Sequence, residues 1–355
     1  MKPLATFTIN HIQYLDETGK AIKELPECAH NITFLKQLYR DMVFLRLFDT
    51  KAINLHRSGR LGTFPSSLGQ EAIYTGIGHA MEPNDIHCPS YRDQGTMMLR
   101  GIKPSYIFTY WGGHEKGSSY PSQSKDFPIS IPIATHCLHG AGAAYTLKLR
   151  QEKHAVLACI GDGGTSEGDF YEALNFAGVH QLPIVFVINN NQWAISVPLR
   201  LQTATQTLAQ KAIAAEIPGI QVDGNDVVAV YHEVSEALNR ARNGQGATLI
   251  EAKSFRLCDH TTADDAKRYC PEPELHNAWK QEPIKRLKNY LMQQNAWTEQ
   301  QDKELLETCQ QEIEAATNEY LAMPAPKPLE MFEFLYEKLP LALEEQYRDL
   351  ENNNG

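Results

Sequence analysis

The stretch from 155 to 191 constrains this chain more than any other. Residues 155–160 (AVLACI) form a short apolar run of the length of a buried strand. Four glycines then fall between Gly161 and Gly168, in Gly161-Asp162-Gly163-Gly164-Thr165-Ser166-Glu167-Gly168. A helical pattern follows, with Phe170, Leu174, Ala177 and Gly178 on one face. Residues 183–188 (PIVFVI) read as a second buried strand, which stops at Asn189-Asn190-Asn191. Strand, glycine turn, helix, strand is a βαβ unit, so the fold class is α/β with a mainly parallel sheet flanked by helices. Ligands of such sheets sit at the carboxyl ends of the strands, where Asp162 and Asn191 both fall. One carboxylate oxygen and one amide oxygen suit magnesium. The Gly163 and Gly164 N–H groups and the following helix N-terminus suit a phosphate. A glycine-rich turn alone is equally compatible with another phosphate compound, or with none.

Composition narrows the class. At 355 residues the chain accommodates one large α/β domain with appendages, or two domains. The net charge of -10 argues against nucleic acid as a main partner. No apolar run approaches the ~18 residues of a membrane span. The first seven residues lack a long apolar core, and early acids (Asp16, Glu17, Glu24, Glu27) speak against a transit peptide. Seven cysteines without a Cys-x-x-Cys pair indicate free thiols in a reducing cytoplasm, and no histidine spacing suggests zinc.

Along the chain, residues 1–30 read as an extended arm lying on another surface, 31–290 as the ligand-binding α/β domain and 291–355 as a helical extension. A helix is expected over 31–57, capped by Asn31. A loop at 63–68 feeds a helix from about Gly69 to His79, in which Gln70 and Glu71 read as a polar first turn, where a carboxylate suits the dipole. A short strand should end at Tyr91-Arg92, with Arg92 either a surface residue or a bidentate phosphate donor. Residues 111–130 form a long loop in which His114 is solvated. A small-residue helix follows around 140–144. Further expectations are a strand and turn at 217–226, an amphipathic helix at 227–242 and a core strand at 247–256. Helices span 274–294 and 298–321, residues 329–339 are amphipathic, and the tail from 341 is frayed.

Gly161-Asp162-Gly163, some thirty residues, then Asn190-Asn191 resembles the motif of enzymes that bind thiamine diphosphate through magnesium. The longer run to Glu172 resembles the alpha subunits of the decarboxylating component of 2-oxo acid dehydrogenase complexes, with bacterial pyruvate members nearest. The resemblance covers about 31–350. It implies that Asp162, Asn191 and the Trp193 carbonyl hold magnesium, and that Tyr91, Arg92, Gly163 and Gly164 hold the diphosphate. It also implies that the backbone at Ile131 and Ile133 touches the aminopyrimidine. His260 would lie beside the diphosphate as a cofactor contact and act on the substrate and the lipoyl group, while Arg256, Asp264, Asp265 and Arg268 support its loop. The Ser130-x-Pro132-x-Ala134-Thr135 wording is nearer the branched-chain 2-oxo acid enzymes. His136 and Asn189 stand where relatives often carry Gln and Arg, and His136 reads as a contact at the subunit interface. The carboxylate that activates the aminopyrimidine comes, in two-chain members, from a beta subunit. The implied protein is an α2β2 heterotetramer that decarboxylates a small 2-oxo acid and passes the acyl group to the lipoyl acyltransferase of the complex. Two rivals are a branched-chain 2-oxo acid dehydrogenase subunit and a non-catalytic assembly subunit.

Overall fold

The computed structural model describes residues 4–120, 125–333 and 335–353. Eight strands are present among them: β1 (Asn10–Ile12), β2 (Ile86–Cys88), β3 (Val156–Gly161), β4 (Ile184–Asn190), β5 (Trp193–Ala194), β6 (Val197–Pro198), β7 (Gly219–Asp223) and β8 (Thr248–Lys253). Six form one parallel sheet in the order β1-β7-β8-β4-β3-β2, and β5 and β6 form a small hairpin.

The alternation of side chains across β3 and β4 decides the layers. Val156, Ala158, Ile160, Ile184, Phe186 and Ile188 face one side, into a core shared with the Thr135–Leu149 and Gly168–Val179 helices. Ala155, Leu157, Cys159, Val185 and Val187 face the other, against α2 (Glu71–Ala80) and the Val227–Arg242 helix. Both faces are covered, so these strands carry unbroken apolar runs, Val156 to Ile160 and Ile184 to Ile188, as parallel strands do. Register aligns Gly161 with Asn189 and Asn190 with Lys253, which levels the carboxyl ends of β3, β4 and β8.

α1 (Ile32–Arg57) starts where the Asn31 side chain accepts from the Phe34 N–H at 3.0 Å. Its apolar face packs under α2 and against the Pro283–Gln293 and Glu299–Leu321 helices. Several expectations need correction. Within the arm, β1 extends this chain's own sheet along β7, and Asp226 accepts from the Tyr14 and Leu15 N–H groups. The strand expected to reach Tyr91-Arg92 stops at Cys88, because Pro89 has no N–H to continue the ladder. The helix expected over 274–294 is two, Glu272–Trp279 and Pro283–Gln293, separated at a proline that can only sit in a first turn. Residues 328–332 make a 3-10 turn, and the tail expected to fray is a helix from Leu341 to Asn353. Residues 121–124 of the expected 111–130 loop lie outside the described residues.

Candidate active site

The glycine turn positions the first ligand candidate. β3 ends at Gly161, and a 3-10 turn, Gly163–Ser166, begins at once. A Cβ on Gly163 would lie 2.5 Å from Ala194 Cβ, and one on Gly164 2.7 Å from Ile160 Cγ1, so only glycine lets the turn sit this close. The first N–H groups of such a turn have no partner inside it and point outward. Asp162 opens the turn without using its side chain as a cap. Asp162 is 2% exposed, and among the described residues the side-chain partner of its carboxylate is Gln202, whose Nε2 donates at 3.0 Å. Burial pushes its pKa up to about 6, opposed by the Gln202 hydrogen bond.

The second candidate hangs from β4. Gln70 Oε1 accepts from Asn189 Nδ2 at 2.9 Å and from Asn191 Nδ2 at 3.1 Å. This fixes the Asn191 amide so that its oxygen, not its nitrogen, is offered on the other side. The Tyr74 hydroxyl also accepts from Asn189, at 2.6 Å. Gln70 and Asn189 are therefore joined beneath the cavity, and Asn189 orients neighbours within the chain.

A cavity of about 570 Å³ opens over these strand ends. It brings together Tyr91, Arg92, Ile131, Ile133, Asp162, Gly163, Gly164, Asn191, Trp193 and His260, ten residues separated by up to 169 positions in sequence. Ala134 (φ 66°) and Ile195 (φ 53°) border it in a left-handed conformation that L-residues rarely adopt. Such outliers cluster at functional sites. Arg256, Asp264, Asp265 and Arg268 lie outside its lining.

Arg92 is buried, not on the surface. Its Nη1 donates to the Ser66 carbonyl at 2.5 Å, and its Nη2 faces the His260 carbonyl at 3.0 Å and His260 Nδ1 at 3.2 Å. It makes no ion pair among the described residues, and neither does Asp162. Burying an isolated charge costs several kcal/mol unless something pairs it. One cavity thus holds a buried cation and a buried carboxylate, neither of which makes an ion pair among the described residues. Two further buried polar atoms at its wall, His136 Nδ1 and Trp193 Nε1, have no partner among the described residues.

The loop after β8 delivers His260. Its N–H donates to Asp264 Oδ2 at 2.8 Å, and the Tyr269 hydroxyl bonds the same carboxylate. Arg256 Nη2 donates to the Ile195 carbonyl and to the Tyr269 hydroxyl, both at 2.7 Å, and its Nη1 reaches the Trp193 carbonyl at 3.3 Å. Asp265 caps the next 3-10 turn at the Lys267 N–H, and Arg268 is exposed. The His260 ring has its pKa pushed down to about 3 by burial, then by Arg92 and Arg256. Arg92 Nη2 at 3.2 Å and Arg256 Nη1 at 3.4 Å can only donate to Nδ1, so the ring proton is on Nε2. The ring is a neutral donor. Its imidazole nitrogen shifts, followed by NMR, should therefore stay flat between about pH 5 and 8. An inflection near the ordinary 6.5 would place the ring outside this arginine pair.

Two more expectations change. His136 is not at an outer surface: it is 4% exposed, and its Nε2 lies 2.8 Å from the Cys159 carbonyl on β3. His114 is not solvated: its side chain is largely covered, 3.6 Å from Glu330. Sequence reasoning missed Gln202 and Asp49. Gln202 lies forty residues from its partner. Asp49 sits in mid-helix, holding Ser66 and Ser67.

Comparison with known proteins adds the family. A family model described as dehydrogenase E1 component matches residues 39–329. The chain belongs to the dehydrogenase E1 component family. The match begins within α1 and ends in the 328–332 turn, so every cavity residue of this E1 chain falls inside it. A protein of Acholeplasma laidlawii named pyruvate dehydrogenase E1 component subunit alpha is 41% identical over 336 residues, covering 94% of this chain and 97% of that one. Proteins of the same name from Mycoplasma pneumoniae and Bacillus subtilis are 40% and 39% identical, covering 92% and 94% of this chain and 91% of each relative. No helix among the described residues of this E1 chain is long and apolar enough to cross a membrane.

Proposed function

We propose that this chain is the alpha subunit of a pyruvate dehydrogenase E1 component, which decarboxylates pyruvate and transfers the acetyl group to a lipoyl group of the acyltransferase. The carrying observation is the pairing of opposite buried charges without an ion pair among the described residues: Asp162 and Arg92 in one cavity of about 570 Å³. Thiamine diphosphate with magnesium satisfies both, since the cation answers Asp162 and the diphosphate answers Arg92. When bound, thiamine diphosphate supplies the nucleophile and the electron sink for loss of carbon dioxide.

Asp162, the Asn191 amide oxygen and the Trp193 carbonyl hold the magnesium. Arg92, Tyr91 and the Gly163–Gly164 N–H groups orient the diphosphate. The backbone at Ile131 and Ile133 borders the aminopyrimidine, and both isoleucine side chains are exposed at that end of the cavity. His260 Nε2–H donates to the charge that develops on the substrate or on the lipoyl sulfur. Arg256, Asp264, Asp265 and Arg268 support the loop that carries it.

The carboxylates among the lining residues are Asp162 and Glu167, both on the glycine turn. A third carboxylate, for the aminopyrimidine, comes from a beta chain, so the working form is an α2β2 heterotetramer. The free thiols of all seven cysteines fit a reducing cytoplasm. The purified chain alone is expected to bind thiamine diphosphate weakly and to release no carbon dioxide from pyruvate. With its beta chain it should turn over pyruvate in preference to 3-methyl-2-oxobutanoate. Decarboxylation by the isolated chain would overturn the shared site, and preference for the branched substrate would move the assignment to the branched-chain class.

A further inference from the structure

We propose that Asp49, in the middle of α1, is a positioning residue for Arg92 and His260. It is 1% exposed, and one of its oxygens, Oδ2, carries the whole contact. Oδ2 accepts from Ser66 Oγ at 2.9 Å, from the Ser67 N–H at 2.5 Å and from Ser67 Oγ at 2.8 Å. Oδ1 is buried without a partner among the described residues. A carboxylate buried in a helix face and forming no ion pair among the described residues is costly to keep. What it holds is a two-serine turn whose Ser66 carbonyl accepts from Arg92 and from the Cys258 thiol.

The linkage runs through covalent and hydrogen-bonded neighbours. With both Ser66 and Ser67 pinned from below, the Ser66 carbonyl is fixed where Arg92 Nη1 donates to it at 2.5 Å. The other arm of the same guanidinium is on His260, at the ring and at the carbonyl. The turn is also sewn to the His260 loop at both ends. Leu257 N–H donates to the Leu68 carbonyl at 3.1 Å, and Thr262 N–H to the Phe64 carbonyl at 2.9 Å. The Phe64 N–H returns a bond to Thr262 Oγ1 at 2.9 Å. Gln94 Nε2 donates to the Pro65 carbonyl at 2.8 Å from the side of Arg92. Residues 64–68 therefore form the shelf on which both cavity residues rest, and Asp49 is the anchor of that shelf in the helix beneath.

The geometry makes the anchor separable from its charge. In an Asp49→Asn variant the amide oxygen can take the place of Oδ2 and keep all three donors, while the NH2 occupies the place of Oδ1, which has none to lose. Asp49→Ala loses all three. A Ser66→Ala/Ser67→Ala double variant keeps the carboxylate and loses the two hydroxyl donors.

The test uses each variant assembled with the beta chain, and it rests on the thiamine diphosphate reading for its binding arm. Calorimetric titration of thiamine diphosphate with magnesium should show Asp49→Ala weakened by about tenfold or more, the range for partners that orient a binding group. Asp49→Asn should stay within about threefold, and the double serine variant should weaken with the alanine one. Hydrogen exchange of segments 63–68 and 257–262 in the cofactor-free protein should rise in the alanine and serine variants and not in the asparagine one. Asp49→Ala that is folded and binds the cofactor like wild type overturns the proposal. So does an asparagine variant as damaged as the alanine one, since the carboxylate would then act by charge. If Asp49→Ala does not fold, the double serine variant decides by the same two readings. Wild type that fails to bind thiamine diphosphate would sink the functional reading instead, and the exchange comparison would still judge Asp49.

Discussion

Replacing Asp162 by asparagine is expected to lower magnesium-dependent thiamine diphosphate affinity by more than about a hundredfold, the upper end of what even outer partners of a metal site cost. The same change should stabilise the metal-free protein at neutral pH. The burial that makes Asp162 a good cation ligand also raises its folded pKa from 3.8 to about 6. The unfolded chain gives up this proton near 3.8, and the folded one holds it to about 6. The folded state therefore loses stability as pH rises through that window and stays penalised above it. A shift of this size corresponds to about 3 kcal/mol at neutral pH. Asparagine has the same shape, can still accept from Gln202, and carries no charge to penalise. Thermal unfolding in a chelator should place the variant above wild type at pH 7.5, with the gap closing below about pH 4. Calorimetry should find cofactor binding lost at the same pH. Near-wild-type affinity in the variant would remove Asp162 from the magnesium site, and equal stability at both pH values would mean that the carboxylate is better solvated than its burial indicates.

Much of this site was legible because local chemistry announced it. The glycine turn between two apolar runs specified β3, the turn and the Gly168–Val179 helix, and placed Asp162 and Asn191 at strand ends. Asn31 was a readable cap, since its side chain bonds the residue three positions on. What escaped was set by partners far away in sequence. Asp49 looks like one polar position on an amphipathic helix until Ser66 and Ser67 fold back onto it. Gln202 sits in an irregular segment with no period to mark it, and its value lies in reaching Asp162. His136 could be either at an interface or inside, because a small-residue helix suits both, and only the Cys159 carbonyl decides. The tail misled for a different reason: a polar, charged stretch has the composition of a frayed end, yet its Leu341–Asn353 helix makes an aromatic contact from Tyr347 to Phe332.

Replacing His260 by alanine is expected to slow acetyl transfer to the lipoyl domain by about a hundredfold to a thousandfold, roughly 3–4 kcal/mol, the usual cost of one preorganised donor. Cofactor affinity should fall far less. The reason is that the backbone of His260, not its ring, does most of the holding. Its N–H is on Asp264 and its carbonyl is on Arg92, and neither bond involves the imidazole. Arg92 also keeps the Ser66 carbonyl in the variant, so the diphosphate donor stays in place. What disappears is Nε2–H, which the two arginines on Nδ1 hold in one tautomer and which burial keeps neutral. A solvated loop histidine would instead contribute within about 0.5 kcal/mol. The two readings are separated by measuring cofactor affinity and lipoyl acetylation for the variant assembled with its beta chain. Unchanged acetylation would leave the ring as filling between Arg92 and Tyr91. Equal losses in affinity and rate would make it a cofactor ligand. A rate loss alone, across a pH range in which wild-type His260 does not titrate, assigns it to the charge that develops during transfer.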